Sequence, residues 1–241
     1  MKKHLTLLLS LFSLLLSAQY PVLDTAFHYG NYTSYPHREA VVIEDMRIDA
    51  QGNKHVVGIF VDTLDLDPGP GVTAVNTNEA TGFIQKLDKR GHLIWGKTWT
   101  APNGVGIDKI RLDSQGNIIL IGNFRGQSFD ANPNSGTFYL TGGGTNDYTP
   151  FLLKLTSTGN YSWATSYPGA LFRSGNTPWN FGIAINSKDE VIVGFFYDSI
   201  IDTDPRYNYF NYVSAHQLGR SDLLIQKLDA NGGLVWNRIL E

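Results

Sequence analysis

Short apolar runs separated by polar turns cover most of the chain, and they return in the same order three times. Ile118-Ile119-Leu120-Ile121 and Val191-Ile192-Val193 are apolar at every position, which predicts strands covered on both faces. Each run follows a tight polar turn. The first copy reads Ile48-Asp49-Ala50-Gln51-Gly52-Asn53 and then Val56-Val57-Gly58-Ile59-Phe60. The second reads Leu112-Asp113-Ser114-Gln115-Gly116-Asn117 and then Ile118 to Phe124. The third reads Ile185-Asn186-Ser187-Lys188-Asp189-Glu190 and then Val191 to Phe196, with Gly194 in the place of Gly58 and Gly122. Strand, turn and strand predict one hairpin per copy.

A second hairpin follows each time. It runs from Phe83 through Lys86 to a turn at Gly91 and on to Trp95. Its counterparts turn at Gly159 and Gly232 and reach Trp163 and Trp236. Lys86 to Trp95, Lys154 to Trp163 and Lys227 to Trp236 are each nine residues apart. Four short strands in up-and-down order form the unit of a propeller blade. The fold class expected is all-β: antiparallel four-stranded blades, three of them, making a partial β-propeller. The recurring tryptophans are expected to fill the space between blades. The blades are expected at 46–100, 107–168 and 181–241. Residues 1–18 read as a signal peptide, and 19–45 as an N-terminal segment able to supply an outer strand of an incomplete blade.

The first copy's Asp49-x-x-Gly52-Asn53, Val56-x-Gly58-x-Phe60, Asp65-x-Asp67-Pro68-Gly69 and Phe83-x-x-Lys86-Leu87-Asp88-x-x-Gly91-x-x-x-Trp95 resemble the bacterial β-propeller repeat called SBBP. The likeness is to the form found in large secreted or surface proteins of Bacteroidota. It spans roughly residues 25 to 241 and implies a propeller without fixing a function. The Leu-Asp-x-x-Gly-x-x-x-Trp element also resembles the tryptophan-docking motif of quinoprotein dehydrogenases. That likeness would imply a quinone cofactor, although the Asp-to-Gly spacing is one residue short.

The start of the chain sets the expected compartment. Lys2 and Lys3 precede an apolar run from Leu5 to Leu16, and Ser17-Ala18 offers a small-residue cleavage site. Export follows, to the cell surface or the periplasm. The run is too short to span a bilayer comfortably, and no other stretch is long and apolar enough. The chain has no cysteine, so disulfides, thiol catalysis and cysteine-held zinc are excluded. A net charge of −3 without a basic cluster argues against a nucleic-acid partner.

Candidate chemistry lies in an acidic element after the second strand of each copy. Asp65 and Asp67, Asp130 and Asn132, and Asp202 and Asp204 each precede a proline. Alternate Asp or Asn oxygens can coordinate Ca²⁺. The same residues can equally start Asx turns. From Phe60 to Phe83 there are 22 intervening residues, from Phe124 to Phe151 26, and from Phe196 to Leu224 27. These stretches read as long loops on one face, open to a glycan or protein ligand. Tyr207, Tyr209, Phe210 and Tyr212 are the contact candidates. The six histidines lack ligand spacing and read as surface or turn residues. No nucleophile elbow or phosphate-binding loop occurs, so a non-enzymatic module or structural spacer is expected, with a quinoprotein-like enzyme or a piece of a larger exported enzyme as the alternative. Three blades do not close a ring, so self-association through exposed blade faces is a further expectation.

Overall fold

The computed structural model describes residues 41–169, 181–197, 200–204, 211–213 and 221–240. All described regular structure is strand. β1 (Val41–Ile48), β2 (Lys54–Asp65), β3 (Ala74–Leu87) and β4 (Leu93–Trp99) pair in that order as one antiparallel sheet. β5 (Val105–Leu112), β6 (Ile118–Asp130), β7 (Tyr139–Leu155) and β8 (Tyr161–Ser166) form the second. β9 (Gly182–Ile185), β10 (Val191–Tyr197), β13 (Asp222–Leu228) and β14 (Leu234–Leu240) form the third, while β11 (Ile200–Asp202) and β12 (Asn211–Val213) pair with each other. The three four-stranded blades are those expected from the repeats. β1 begins at Val41, so residues 41–45 belong to the first blade rather than to the segment before it; the second blade likewise begins at Val105.

The polar turns close as their residues dictate. Asp49 Oδ1 accepts the backbone N–H of Gln51 and Asn53, and Gly52 takes φ 83°. Asp113 and Gly116 repeat this. In the third blade Asn186 plays the part, and Asp189 takes the left-handed conformation at φ 59°, which Asp tolerates better than most residues.

The sheets stack face to face. Ile118, Ile119, Leu120 and Ile121 are all fully buried, because β6 is covered from both sides. Ile118, Leu120, Leu153 and Leu155, with Ile107 and Ile110 of their own blade, share one core with Val57 and Ile84 of the first. Ile119, Ile121 and Leu152 meet Val191, Val193, Phe195 and Leu224 of the third.

β1 and β5 each carry a bulge, between Ile43 and Asp45 and between Ile107 and Lys109. A Cβ on Gly58 would collide with the carbonyl of Val42, and one on Gly122 with the carbonyl of Gly106. Each glycine lies opposite a phenylalanine, Phe83 or Phe151. The described part of β9 pairs with β10 without a bulge, and there Phe195 sits opposite Leu224. Phe195, not Gly194, therefore holds the register of Gly58 and Gly122, one residue off the alignment read from sequence.

The long loops are a correction. β2 continues to Asp65 and β3 starts at Ala74; β6 continues to Asp130 and β7 starts at Tyr139. β11 and β12 supply the same extension in the third copy. Each middle hairpin is thus prolonged into a ribbon that bends sharply, at Asp62 (φ 76°) in the first blade and around Gly126 (φ 129°) and Gly144 (φ 156°) in the second. The ribbon folds back over its own sheet. Leu66 lies above the paired Gln85 and Gly96, its carbonyl accepting from Gln85 Nε2 at 2.7 Å. A Cβ on Gly96 would stand 2.9 Å from Leu66 Cδ1, so glycine makes the room. In the third blade Thr203 accepts from Gln226 Nε2 and, through Oγ1, from Asn237 Nδ2.

Candidate functional site

Two contacts recur at the seams between blades. Opposite each tryptophan on the neighbouring strand stands the lysine nine residues earlier: Lys86 with Trp95, Lys154 with Trp163, Lys227 with Trp236. Trp95 lies against Gly159 of the second blade and Trp163 against Gly232 of the third. Both glycines have positive φ, and a Cβ there would stand 3.2 Å and 2.8 Å from the indole. Trp163 Nε1 also donates to the Ala230 carbonyl at 3.2 Å. The lysine ties two blades together. Lys154 Nζ reaches Asp113 of its own blade and the carbonyl of Ala230 in the next. Lys86 does the same with Asp49 and Ser157. Lys227 pairs with Glu190, which takes over the charge because the third blade has Asn186 where the others have Asp.

These carboxylates are tuned by their places. Burial pushes Asp49 up, but hydrogen bonds from Asn53, His55 and Lys86 outweigh it and hold the group well below the ordinary range. Burial and Lys154 with Asn117 act the same way on Asp113, with the same net direction. His55 departs from the expectation of a surface or turn position. It is fully buried, its Nε2 is 3.3 Å from Asp49 Oδ2, and burial lowers its pKa. His92 is the exposed turn residue expected; the other four histidines lie outside the described residues.

The acidic elements close the ribbon tips. Asp65 Oδ1 accepts the N–H groups of Asp67 and Thr73, and Asp67 Oδ1 accepts that of Gly69. Asp130 Oδ1 accepts from Asn132 and Phe138, and Asn132 Oδ1 from Asn134. Asp202 Oδ1 accepts from Asp204. One oxygen of each closing Asp is thereby engaged by backbone. Calcium takes six to eight oxygens, and the tips bring together two carboxylates at most. Among the described residues no three His, Cys, Asp or Glu gather into a metal-binding group. Tyr207, Tyr209 and Phe210 lie outside the described residues; Tyr212 is on β12, opposite Ile201.

The second tip shows what a tip presents. Asn134 accepts from Tyr161 N–H and donates to Asn160, fixing the tip beside the β7–β8 turn. Phe138 stacks on Tyr161 with ring centres 5.0 Å apart. Tyr139 beside it is 66% exposed, and Val72 on the first tip 80%.

A feature missed in the sequence lies on the first strands, which run side by side in the first two blades. Each bulge extrudes an acid, Glu44 in β1 and Asp108 in β5. Asp108 is buried and accepts from Asn123 Nδ2 at 3.0 Å. Burial, and secondarily the charge of Glu44, push its pKa up to about 7. Next to it Asp45 binds Arg47, Arg111 and the N–H of Ile110, joining the two strands. Chemically this is a carboxyl able to hold a proton at neutral pH. The signal was faint: one acid in a strand that also carries Lys109 and Arg111, with no motif around it.

No helix among the described residues is long and apolar enough to cross a membrane. No protein-family model matches the chain, and no curated protein matches it in sequence.

Proposed function

We propose that the chain is an exported, non-enzymatic propeller module of the SBBP type that binds a glycan or protein through its ribbon tips. The observation carrying this reading is how the polar residues are divided. The repeated ones are consumed in holding the blades: Asp with Lys, Lys with the next blade's carbonyl, Asp65 and Asp130 with their tips. The tips keep one length and change sequence: Leu66 to Thr73, Ala131 to Phe138, Thr203 to Phe210. A fixed frame carrying variable, exposed tips is the arrangement of a binding scaffold. Tyr139 gives it aromatic surface suited to stacking on a sugar ring or anchoring in a protein interface, and the sequence adds Tyr207, Tyr209 and Phe210 as contact candidates. The Trp-on-Gly seam accounts for the likeness to quinoprotein docking motifs without a cofactor.

The test is a glycan array and a pull-down with the exported chain, repeated with Tyr139→Ala and Tyr209→Ala. Binding that falls about tenfold with unchanged melting temperature supports the reading, a difference of about 1.4 kcal/mol. Binding indifferent to every tip aromatic overturns it.

A second reading, a structural unit that associates, is favoured by the third blade's outer face. Phe196 is 45% and Leu240 54% exposed there, on the side where the earlier blades hide Trp99 and Tyr167. Light scattering reads this directly: a monomer at all concentrations contradicts it.

A further inference from the structure

The first two tips present different chemistry. The first, Leu66 to Thr73, carries Asp67 and lies beside its own β3–β4 turn, where a Cβ on Gly69 would stand 4.0 Å from His92 Cδ2. That turn reads Asp88-Lys89-Arg90-Gly91-His92, so the first tip sits among charges of both signs. The second tip, Ala131 to Phe138, lies beside the β7–β8 turn, Thr156 to Tyr161. Neither of these two stretches contains an Asp, Glu, Lys, Arg or His. The charges that border them are already engaged. Asp130 Oδ1 accepts from the backbone at the neck of the tip, and Lys86 Nζ is held by Asp49 and the Ser157 carbonyl.

The uncharged polar groups are fixed in place. Asn134 Oδ1 accepts the N–H of Tyr161 at 3.0 Å, and Asn134 Nδ2 donates to Asn160 Oδ1 at 3.3 Å. Asn160 Nδ2 donates in turn to Thr158 Oγ1 at 3.2 Å. A primary amide can donate twice and accept twice, so among the described residues both asparagines keep an N–H and an acceptor position to spare. Thr158 and Asn160 are exposed. Next to them Phe138 packs on Tyr161, the ring planes 33° apart, and is still 40% exposed. Tyr161 braces one side of the phenyl ring and solvent meets the rest.

An aromatic ring bordered by fixed, uncharged groups that both donate and accept suits a sugar. The C–H face of a sugar stacks on such a ring, and its hydroxyls likewise donate and accept. An acidic glycan would find no cation in these stretches. A stable protein interface uses roughly 20–30 residues on each side, far more than the second tip and its turn supply. We infer, building on the reading of the tips as the binding surface, that the second tip is a site for a neutral glycan. A sugar ring lies on Phe138, and its hydroxyls bond Asn134, Asn160 and Thr158.

The test is an array of neutral and acidic glycans probed with the exported chain, followed by calorimetry with dextran, laminarin and galactomannan and, as acidic counterparts, polygalacturonate and alginate. A neutral glycan should bind, with an affinity that added salt leaves unchanged, because no ion pair forms. Phe138→Ala should weaken that binding about tenfold and Asn160→Ala about fivefold, both at unchanged melting temperature. Phe138→Trp, which keeps a stacking surface, should retain it. Where Phe138→Ala fails to fold, hydrogen exchange of the unaltered chain decides: the glycan should protect amides within 131–138 and 156–161, and protection confined elsewhere overturns the inference. Binding of acidic glycans alone, no binding of any neutral one, or binding that Phe138→Ala leaves intact overturns it too. In those cases a glycan or protein lost with Tyr139→Ala or Tyr209→Ala would leave the broader reading of the tips standing, whereas indifference to every tip aromatic removes both.

Discussion

Lys154 Nζ lies 2.9 Å from Asp113 Oδ2 and 3.1 Å from the carbonyl of Ala230, so one ammonium joins the first turn of its own blade to the last turn of the next. Both side chains are nearly closed to water, at 8% and 2% exposure. Removing the cation leaves a buried carboxylate without its counter-charge. Lys154→Met should therefore cost about 3–5 kcal/mol in denaturant unfolding. Lys227→Met should cost less, because Lys227 and Glu190 pair closer to solvent. Equal losses at the two sites would show that the bridge to the next blade contributes nothing.

The tryptophans should differ in the same order. Trp163 is held against Gly232 and hydrogen-bonded to Ala230, whereas no contact of Trp236 with a further blade is present among the described residues. Trp163→Ala should cost about 3–5 kcal/mol, and Trp236→Ala should cost less. Gly232→Ala should destabilise as well, since it combines a positive φ with a Cβ 2.8 Å from the indole. Urea unfolding followed by far-ultraviolet circular dichroism measures all three.

The contribution of Asp108 to stability should fall as the pH rises toward neutrality, opposed by buried His55, whose lowered pKa makes its contribution rise over the same approach to 6.5. The Asp108 pKa is raised from 3.8 to about 7, so the folded chain binds a proton there that the unfolded chain releases. Its contribution is full below the ordinary carboxylate range and is lost as the pH climbs to 7. The slope from this group is about 1.4 kcal/mol per pH unit at most. Asp108→Asn should remove this falling component and leave the rise from His55. Asp49 and Asp113 act oppositely: their pKa values are lowered, so their contribution is present at neutral pH and lost in acid. An unchanged pH profile in Asp108→Asn would contradict the assignment.

Much of this was legible in the chain. The nine-residue spacing of Lys and Trp is the signature of a cross-strand pair flanking a glycine turn, and the all-apolar Ile118 to Ile121 run shows a strand covered twice. The folded-back ribbons were not legible, because Ala74-Val75-Asn76-Thr77-Asn78-Glu79-Ala80 looks like polar loop while forming a largely exposed part of β3. The bend was marked only by Asp62, by Gly126 and by Gly142 to Gly144. The acidic tip residues were visible, but sequence could not decide between calcium and turn closure, because both use oxygens at the same spacing. Asp108 stayed hidden because a bulge, not a motif, places it.

The tips should hold without metal. A structural Ca²⁺ present at a hundredfold excess over its dissociation constant would add about 2.7 kcal/mol. The turn hydrogen bonds of Asp65 and Asp130 predict instead that EDTA leaves the melting temperature unchanged while Asp130→Ala lowers it. A clear drop with EDTA, reversed by calcium, would establish a cation in the tips.

The stacking of blades is tested most directly by hydrogen exchange at the indole N–H groups, resolved by NMR. Trp99 Nε1–H is buried and bonded to Ala131 across the first seam, so it should exchange only with global unfolding, far more slowly than Trp236. A Trp99 indole proton that exchanges as fast as that of Trp236 would contradict blades packed face to face.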